Sequence, residues 1–352
     1  MKNNKVMMVG SAEKSNGGVA SAIKVIKKMS CWKEFSCYWL GTQIQGKYLL
    51  KLKYCISAYI ISLFKIWKYN IIHFHTVPDR ICLIIQLPVF LLALLGKKKI
   101  IMHIHMGNQL EEHTNNALFI WCLKHSNLII LLAKKWEYKF KEWYPNISTP
   151  TTTLYNAYEP VEAIPYKNRD KTILLAANLN ENKGYGILLK AFQRIHHDFP
   201  DWKVIILGDG EIEKAKKMAH EFGIQDKTIF TGYLTGEEKI KYFQKASIYC
   251  MSSYQEGFPM VVLEAWGYGI PVVTTPVGGL PDVIEENKNA CVFDFGDDAM
   301  LAKKLSYLIN NPLQREEMSI YSTKYVNEHF SIKKTNDQLY NIQYFGKFLP
   351  IN

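Results

Sequence analysis

The chain has 352 residues, about twice a usual single domain, with 48% apolar and 13% aromatic residues, which sets disorder aside and points to two domains, each able to bury its own core. The seven cysteines are odd in number, contain no C-x-x-C pair and sit mostly in apolar runs, which excludes a disulfide framework and fits a reducing cytoplasm. Net charge is +11 but unevenly placed: residues 1–150 hold 21 Lys+Arg against 7 Asp+Glu, while residues 151–352 hold 22 against 25.

In chain order, KVMMVG (5–10) is too short an apolar stretch for a signal peptide and reads as a strand. It leads into Gly17-Gly18 and a helix with apolar residues at Val19, Ile23 and Ile26. A glycine turn opening a helix lets backbone N–H groups approach an anion, although an ordinary strand-to-helix turn has the same look. Neither G-x-x-x-x-G-K-[ST] nor G-x-G-x-x-G is present. KYLLKLKYCISAYIISLFKIWKY (47–69) gathers Lys47, Lys51, Lys65 and Lys68 within about a third of the circumference at ~100° per residue, beside Ile, Leu, Tyr and Trp. That pattern suits either a basic helix lying on a membrane face or a core helix with a solvated lysine stripe. NIIHFH (70–75), KIIMHIH (99–105) and NLIILLA (127–133) read as further strands. Between the first two, ICLIIQLPVFLLALL (81–95) falls short of the ~20 residues of a bilayer span, carries Pro88, and reads as a buried helix.

Pro160 and Pro165 break YEPVEAIPYKNRD (158–170) into a polar linker. The second half then repeats the alternation with TILLAAN (172–178), KVIILG (203–208), TIFTG (228–232), SIYCMS (247–252) and PVVTT (271–275), followed by a last helix over 331–345. Strands alternating with helices give an α/β chain of two Rossmann-like, doubly wound parallel-sheet domains. Ligands of such sheets bind outside the strands' carboxyl ends, so the expected site is the cleft between the domains.

In this half Lys183 and Gly184 follow a strand and precede a helix, where a lysine is placed to neutralise phosphate. EGFPMVVLE (256–264) sets Glu256 and Glu264 either side of an apolar run. Pro259 suits a first helical turn, so Glu256 falls in the preceding loop and Glu264 in the second turn, ~7–8 Å along the axis. Between them the N–H groups of Met260, Val261 and Val262 form an anion seat flanked by two hydroxyl acceptors. PVGGLPD (276–282) adds a second glycine nest and another helix start, and DFGDD (294–298) reads as a turn and helix cap.

Together these residues resemble the family-4 retaining glycosyltransferases of the GT-B fold, whose E-x7-E element matches EGFPMVVLE with SSYQEGFP before it and EAWGYGIPVVTTPVGGLPDVI after it. Lys183-Gly184, Gly208-Asp209-Gly210, Asn156 and Gly17-Gly18 match further family positions. The resemblance implies an acceptor-binding domain over 1–160, a nucleotide-sugar-binding domain over 161–330, and a segment 331–352 whose helix returns to the first domain. It places Glu256 on the donor sugar's hydroxyls, Glu264 on the ribose, Lys183 on the diphosphate, and Gly18 near that diphosphate from the other domain. Gly257, Phe258, Met260 and Val261 line sugar and phosphate through their backbone. His105, ending KIIMHIH with His103 on the same strand face, matches the family histidine near the sugar, and His75 holds a similar strand end. Glu256, His105 and Lys183 thus stand at the chemistry. Asn178 occupies the position of an arginine that usually pairs with Lys183, so phosphate binding loses one positive charge. Ser252, Ala157 and Ala290 are milder departures.

The implied reaction is retaining transfer from a nucleotide sugar, a UDP-sugar in the first instance, to a glycan or polyprenyl-linked acceptor. It needs no metal or other cofactor, and suits bacterial surface polysaccharide biosynthesis in the cytoplasm or at the inner membrane face. Rival readings are a glycoside hydrolase pairing Glu256 with Glu264, a nucleotide-sugar epimerase on the same double domain, and a non-catalytic basic membrane-surface protein. Nucleic acid is set aside because no binding motif accompanies the charge.

Overall fold

The computed structural model describes residues 4–345 except 16, 45, 108, 162–164 and 167–168. Parts of the expected linker, and residues 346–352 of the final segment, lie outside the described residues. The chain divides into two units, Met1–Ala157 with Phe330–Asn352, and Tyr158–His329.

In unit 1 the β-branched runs become parallel strands: β1 (Val6–Ser11), β2 (Tyr38–Gln43), β3 (Ile71–Thr76), β4 (Lys99–Ile104), β5 (Leu128–Leu131) and β6 (Thr151–Thr153). Their order is β2-β1-β3-β4-β5-β6. The direction of winding reverses between β1 and β3, which marks the switch point of this sheet. One sheet face, through Val6, Met8, Ile71, Ile101 and Ile130, packs on Ile23 and Ile26 of α1 (Gly18–Lys27) and on Phe35 just past α2 (Ser30–Glu34). The helix Ile332–Phe345 adds Leu339 and Ile342 to this core, and Asn336 accepts from the N–H of Cys31 at 3.0 Å. Each such fully buried aliphatic side chain is worth roughly 1.5–3 kcal/mol of transfer free energy.

Two helices of unit 1 leave apolar faces uncovered. α3 (Tyr48–Lys65) buries only Ala58 and Ser62, and leaves Leu49, Leu52, Ile56, Ile60, Leu63 and Phe64 exposed beside its lysines. α4 (Arg80–Leu95), expected to be buried, buries one face through Leu83, Val89 and Phe90 but exposes Ile81, Ile84, Leu91 and Leu95. The reason is that α3 covers α4 only in part, with the Tyr59 hydroxyl donating to the Ile85 carbonyl at 2.9 Å.

Unit 2 is built from β7 (Asp170–Ala176), β8 (Lys203–Leu207), β9 (Thr228–Gly232), β10 (Ala246–Met251), β11 (Val272–Thr274) and β12 (Ala290–Val292), ordered β12-β11-β10-β7-β8-β9 and all parallel. Its switch point lies between β7 and β10. Ile173 and Leu175, Val204 and Ile206, and Ile248 and Cys250 share one face. They pack on the helices Tyr185–Ile195, Ile212–Glu221 and Asp298–Asn310. Arg169, which the sequence leaves in the linker, donates to the carbonyls of Phe243, Gln244, Ala246 and Tyr268, and so caps the end of helix Gly236–Lys245.

Candidate functional site

The loops after β7 and β10, the two strands flanking the unit 2 switch point, carry Lys183 and Glu256. Lys183 closes a one-turn 3-10 segment, Glu181–Lys183. Gly184 follows at φ 61°, and a Cβ there would lie 2.0 Å from the Ser252 carbonyl oxygen. That close approach lets the two loops be laced together. Ser252 Oγ donates to the carbonyls of Lys183 (3.1 Å) and Gly184 (2.8 Å), and Tyr254 N–H donates to the Asn182 carbonyl at 2.7 Å.

Across this seam Lys183 Nζ meets Glu256 Oε1 at 2.6 Å, with the two side chains 23% and 17% exposed. Ser253 Oγ donates to the same oxygen at 2.8 Å. Partial burial makes the pair more than an exposed surface bridge, and removing either member leaves a half-buried charge. Helix Met260–Gly267 starts four residues on, with Pro259 as the extended residue before it. Met260 and Val261 head the helix, where N–H groups lack intrahelical acceptors. The expected third donor is corrected: Val262 N–H is taken by the Pro259 carbonyl at 3.2 Å, because the first turn tightens. Gly257 is buried and Phe258 is only 3% exposed, which leaves backbone as the only group either could offer.

Glu264 sits in the second turn but does not join Glu256. Its own partner is Lys239 Nζ at 2.7 Å, from helix Gly236–Lys245. Asn178 is exposed in the loop after β7, with no contact to Lys183 seen among the described residues. The G-D-G turn braces that loop, as Leu179 N–H donates to the Asp209 carbonyl (2.6 Å) and Glu211 N–H to the Leu179 carbonyl (3.0 Å). The loop after β11 is also occupied internally. Gly279 N–H donates to the Gly257 carbonyl at 2.9 Å and Leu280 N–H to Val277, and the expected helix start shrinks to the 3-10 turn Leu280–Asp282. Through Gly279 this glycine nest holds the Glu256 loop. Asp297 caps helix Asp298–Asn310 by accepting from Met300 N–H at 2.8 Å.

Sequence reasoning missed Ser253 and Lys239. Ser253 stands three residues before Glu256, a spacing that a loop hydrogen bond needs, whereas Lys239 lies 25 residues from Glu264 and only the fold joins them.

In unit 1, Gly17 is the extended residue before α1 and Gly18 its first residue, with no acidic residue in that turn. A Cβ at Gly18 would meet nothing within 4 Å, which leaves room beside the backbone. His105 follows β4, donates its N–H to the Thr76 carbonyl at 2.8 Å, and is 7% exposed. Burial lowers its pKa from 6.5 to about 3, so at neutral pH it is a neutral hydrogen-bonding ring.

Residues 161–325 match the family of Glycosyl transferases group 1. An uncharacterized glycosyltransferase of Haemophilus influenzae is 32% identical over 236 residues, which cover 65% of this chain and 63% of that protein. The amylovoran biosynthesis glycosyltransferase AmsK of Erwinia amylovora is 28% identical over 226 residues, 60% of this chain and 54% of AmsK. The chain thus spans less than two-thirds of these glycosyltransferases' lengths. Among solved structures, Anabaena HepE in complex with UDP and glucose matches with a TM-score of 0.76 at 15% identity, covering 96% of this chain and 99% of that one. Together with the two parallel six-stranded sheets, that likeness gives the fold as two-domain, Rossmann-like GT-B.

Proposed function

We propose that the protein is a retaining glycosyltransferase that moves a sugar from a UDP-sugar to a glycan or polyprenyl-linked acceptor, without a metal cofactor. The observation that carries this is the Lys183–Glu256 pair at the unit 2 switch point, beside the start of helix Met260–Gly267. Supporting it are the match of residues 161–325 to Glycosyl transferases group 1, the UDP and UDP-glucose complexes of HepE, and AmsK, a glycosyltransferase of amylovoran biosynthesis; surface polysaccharide biosynthesis is the role we assign.

In this reading the donor parts the ion pair. Lys183 turns to the diphosphate, joined there by the Met260 and Val261 N–H groups, and Glu256, still oriented by Ser253, accepts from vicinal sugar hydroxyls. Glu264 takes the ribose hydroxyls, with Lys239 keeping it ionised and in place. As the bond from the anomeric carbon to the phosphate oxygen breaks, its electron pair leaves with the diphosphate, where Lys183 and the helix terminus stabilise the growing charge. The acceptor oxygen bonds the anomeric carbon on the same face, and its proton passes to the departing phosphate oxygen. Configuration is retained and no carboxylate is used as a nucleophile. Asn178 supplies one neutral donor where a second cation would bind more tightly. Gly17, Gly18 and His105 keep the donor-binding roles implied by the resemblance.

The acceptor side is assigned to the exposed apolar faces of α3 and α4 with Lys47, Lys51, Lys65 and Lys68, a surface suited to an anionic bilayer. No helix among the described residues is long and apolar enough to cross a membrane, so contact would be peripheral. The expected location is the cytoplasmic face of the cell membrane.

Transfer from a panel of radiolabelled nucleotide sugars tests the reading. Glu256→Ala is expected to lose turnover by ~10²–10³-fold, and Lys183→Ala to weaken donor binding as well. Full activity in both variants would remove the site.

A further inference from the structure

β3 and β4 each carry an H-x-H pair at their carboxyl ends, His73 with His75 and His103 with His105. The strands run side by side with His75 opposite His103, and alternation puts all four rings on one face. The four are 0%, 1%, 2% and 7% exposed in the order His73, His75, His103, His105. Ring centroids are 4.4–5.5 Å apart for the neighbouring pairs.

Such a cluster is costly as mere packing. Among the described residues, His103 has a hydrogen-bond partner at neither ring nitrogen, and His75 Nε2 also lacks one. A buried polar atom left without a partner is destabilising, and leucine or valine would fill the same space without it. The His75 tautomer follows from its single ring bond, Nδ1 to His105 Nε2 at 2.9 Å. If Nδ1 carries the proton it is donated to His105, and the buried Nε2 is a bare lone pair. The opposite tautomer would bury an unpaired N–H, the costlier orphan. Burial holds all four rings neutral, with His73 and His105 lowered to about 3 and His75 and His103 well below their usual value. Neutral imidazole is the form that binds metal.

One ring nitrogen from each of His73, His75 and His103 lies within 4.8 Å of the others. We infer that these three histidines form a binding site for one divalent transition-metal ion of the zinc class. Three imidazoles and no carboxylate suit zinc and its neighbours rather than magnesium or calcium. Closing from this spacing to metal–nitrogen bonds of about 2.0–2.1 Å takes ring rotations and leaves a fourth position open. His105 positions the set by accepting from His75 Nδ1–H, an outer-shell hydrogen bond that fixes the tautomer and orientation of a ligating ring. As the member most open to solvent, it also marks the side of entry.

The site is independent of the donor residues of unit 2, so its test does not depend on transfer. Full-length protein stripped with EDTA and desalted is titrated with Zn2+ by calorimetry and with Co2+ by visible absorbance, alongside His103→Leu. Leucine replaces an unpartnered ring, so the variant should keep its circular dichroism. His73→Val serves as a second variant should it not. Wild type is expected to bind one Zn2+ per chain more than either variant, to show Co2+ bands that both lack, and to gain a Zn2+-dependent rise in Tm absent from both. Equal stoichiometry and spectra in wild type and variant would overturn the site, because the other histidines are unchanged. So would a wild type that takes up no ion.

Discussion

The two units share one plan, six parallel strands wound from a central strand, yet the carboxyl ends of their sheets hold opposite chemistry. In unit 1 the carboxyl ends of β3 and β4 close over four neutral imidazoles. In unit 2 the loops after β7 and β10 hold Lys183 against Glu256, both partly open to solvent. The glycines differ likewise: Gly18 of unit 1 stands in open space, while Gly184 and Gly278 of unit 2, at φ 61° and 64°, press against neighbouring backbone. Topology fixes where a site lies, and the few residues after each strand end fix what it can do.

This contrast can be broken by experiment. The largest stability effect is expected from Gly184→Ala, where the new Cβ meets a backbone oxygen in a left-handed conformation. Urea unfolding should show a loss of more than about 2 kcal/mol, whereas Gly18→Ala should stay within about 0.5 kcal/mol. Equal losses would mean that the glycine of unit 1 is also required by packing.

Acid should separate the units next. Unfolded imidazoles take up protons near pH 6.5, whereas the folded His73 and His105 do so only near 3. Between these values the unfolded state binds more protons, so stability contributed by the neutral rings falls as pH drops from about 6.5 towards 3. Each fully titrating ring costs about 1.4 kcal/mol per pH unit in that window. With chelator present, unit 1 probes such as Trp39 should unfold at higher pH than the unit 2 probe Trp202, and coincident acid transitions would contradict this. The smallest effect is on membranes. Charge reversal of Lys51, Lys65 and Lys68 to Glu should reduce co-sedimentation with anionic vesicles several-fold at low salt. Unchanged sedimentation would remove the acceptor-side assignment.

Much of this was legible in the sequence, for physical reasons. Strands buried on both faces, such as β3, β4, β7 and β10, read as near-continuous apolar runs. β2, β6 and β12 did not, and all three are sheet-edge strands: YWLGTQ carries a glycine and two polar residues, TTT and ACV are three residues long. Glu256 and Lys183 were legible because loop glycines and Pro259 mark where a strand yields to a helix. The Glu264–Lys239 pair was not, since its members lie on separate helices. The exposed side of α4 was hidden for a related reason: a mostly apolar sequence does not show which of its faces a neighbour covers.

Donor binding tests the central claim most directly. Thermal unfolding of the protein is followed with UDP, GDP, ADP, TDP and CMP sugars, in wild type and in Lys183→Ala. The account predicts that a UDP-sugar raises the wild-type Tm in a concentration-dependent way, and that Lys183→Ala shows a much smaller rise at the same concentration. No rise with any of the nucleotide sugars, or equal rises in the two proteins, would contradict it.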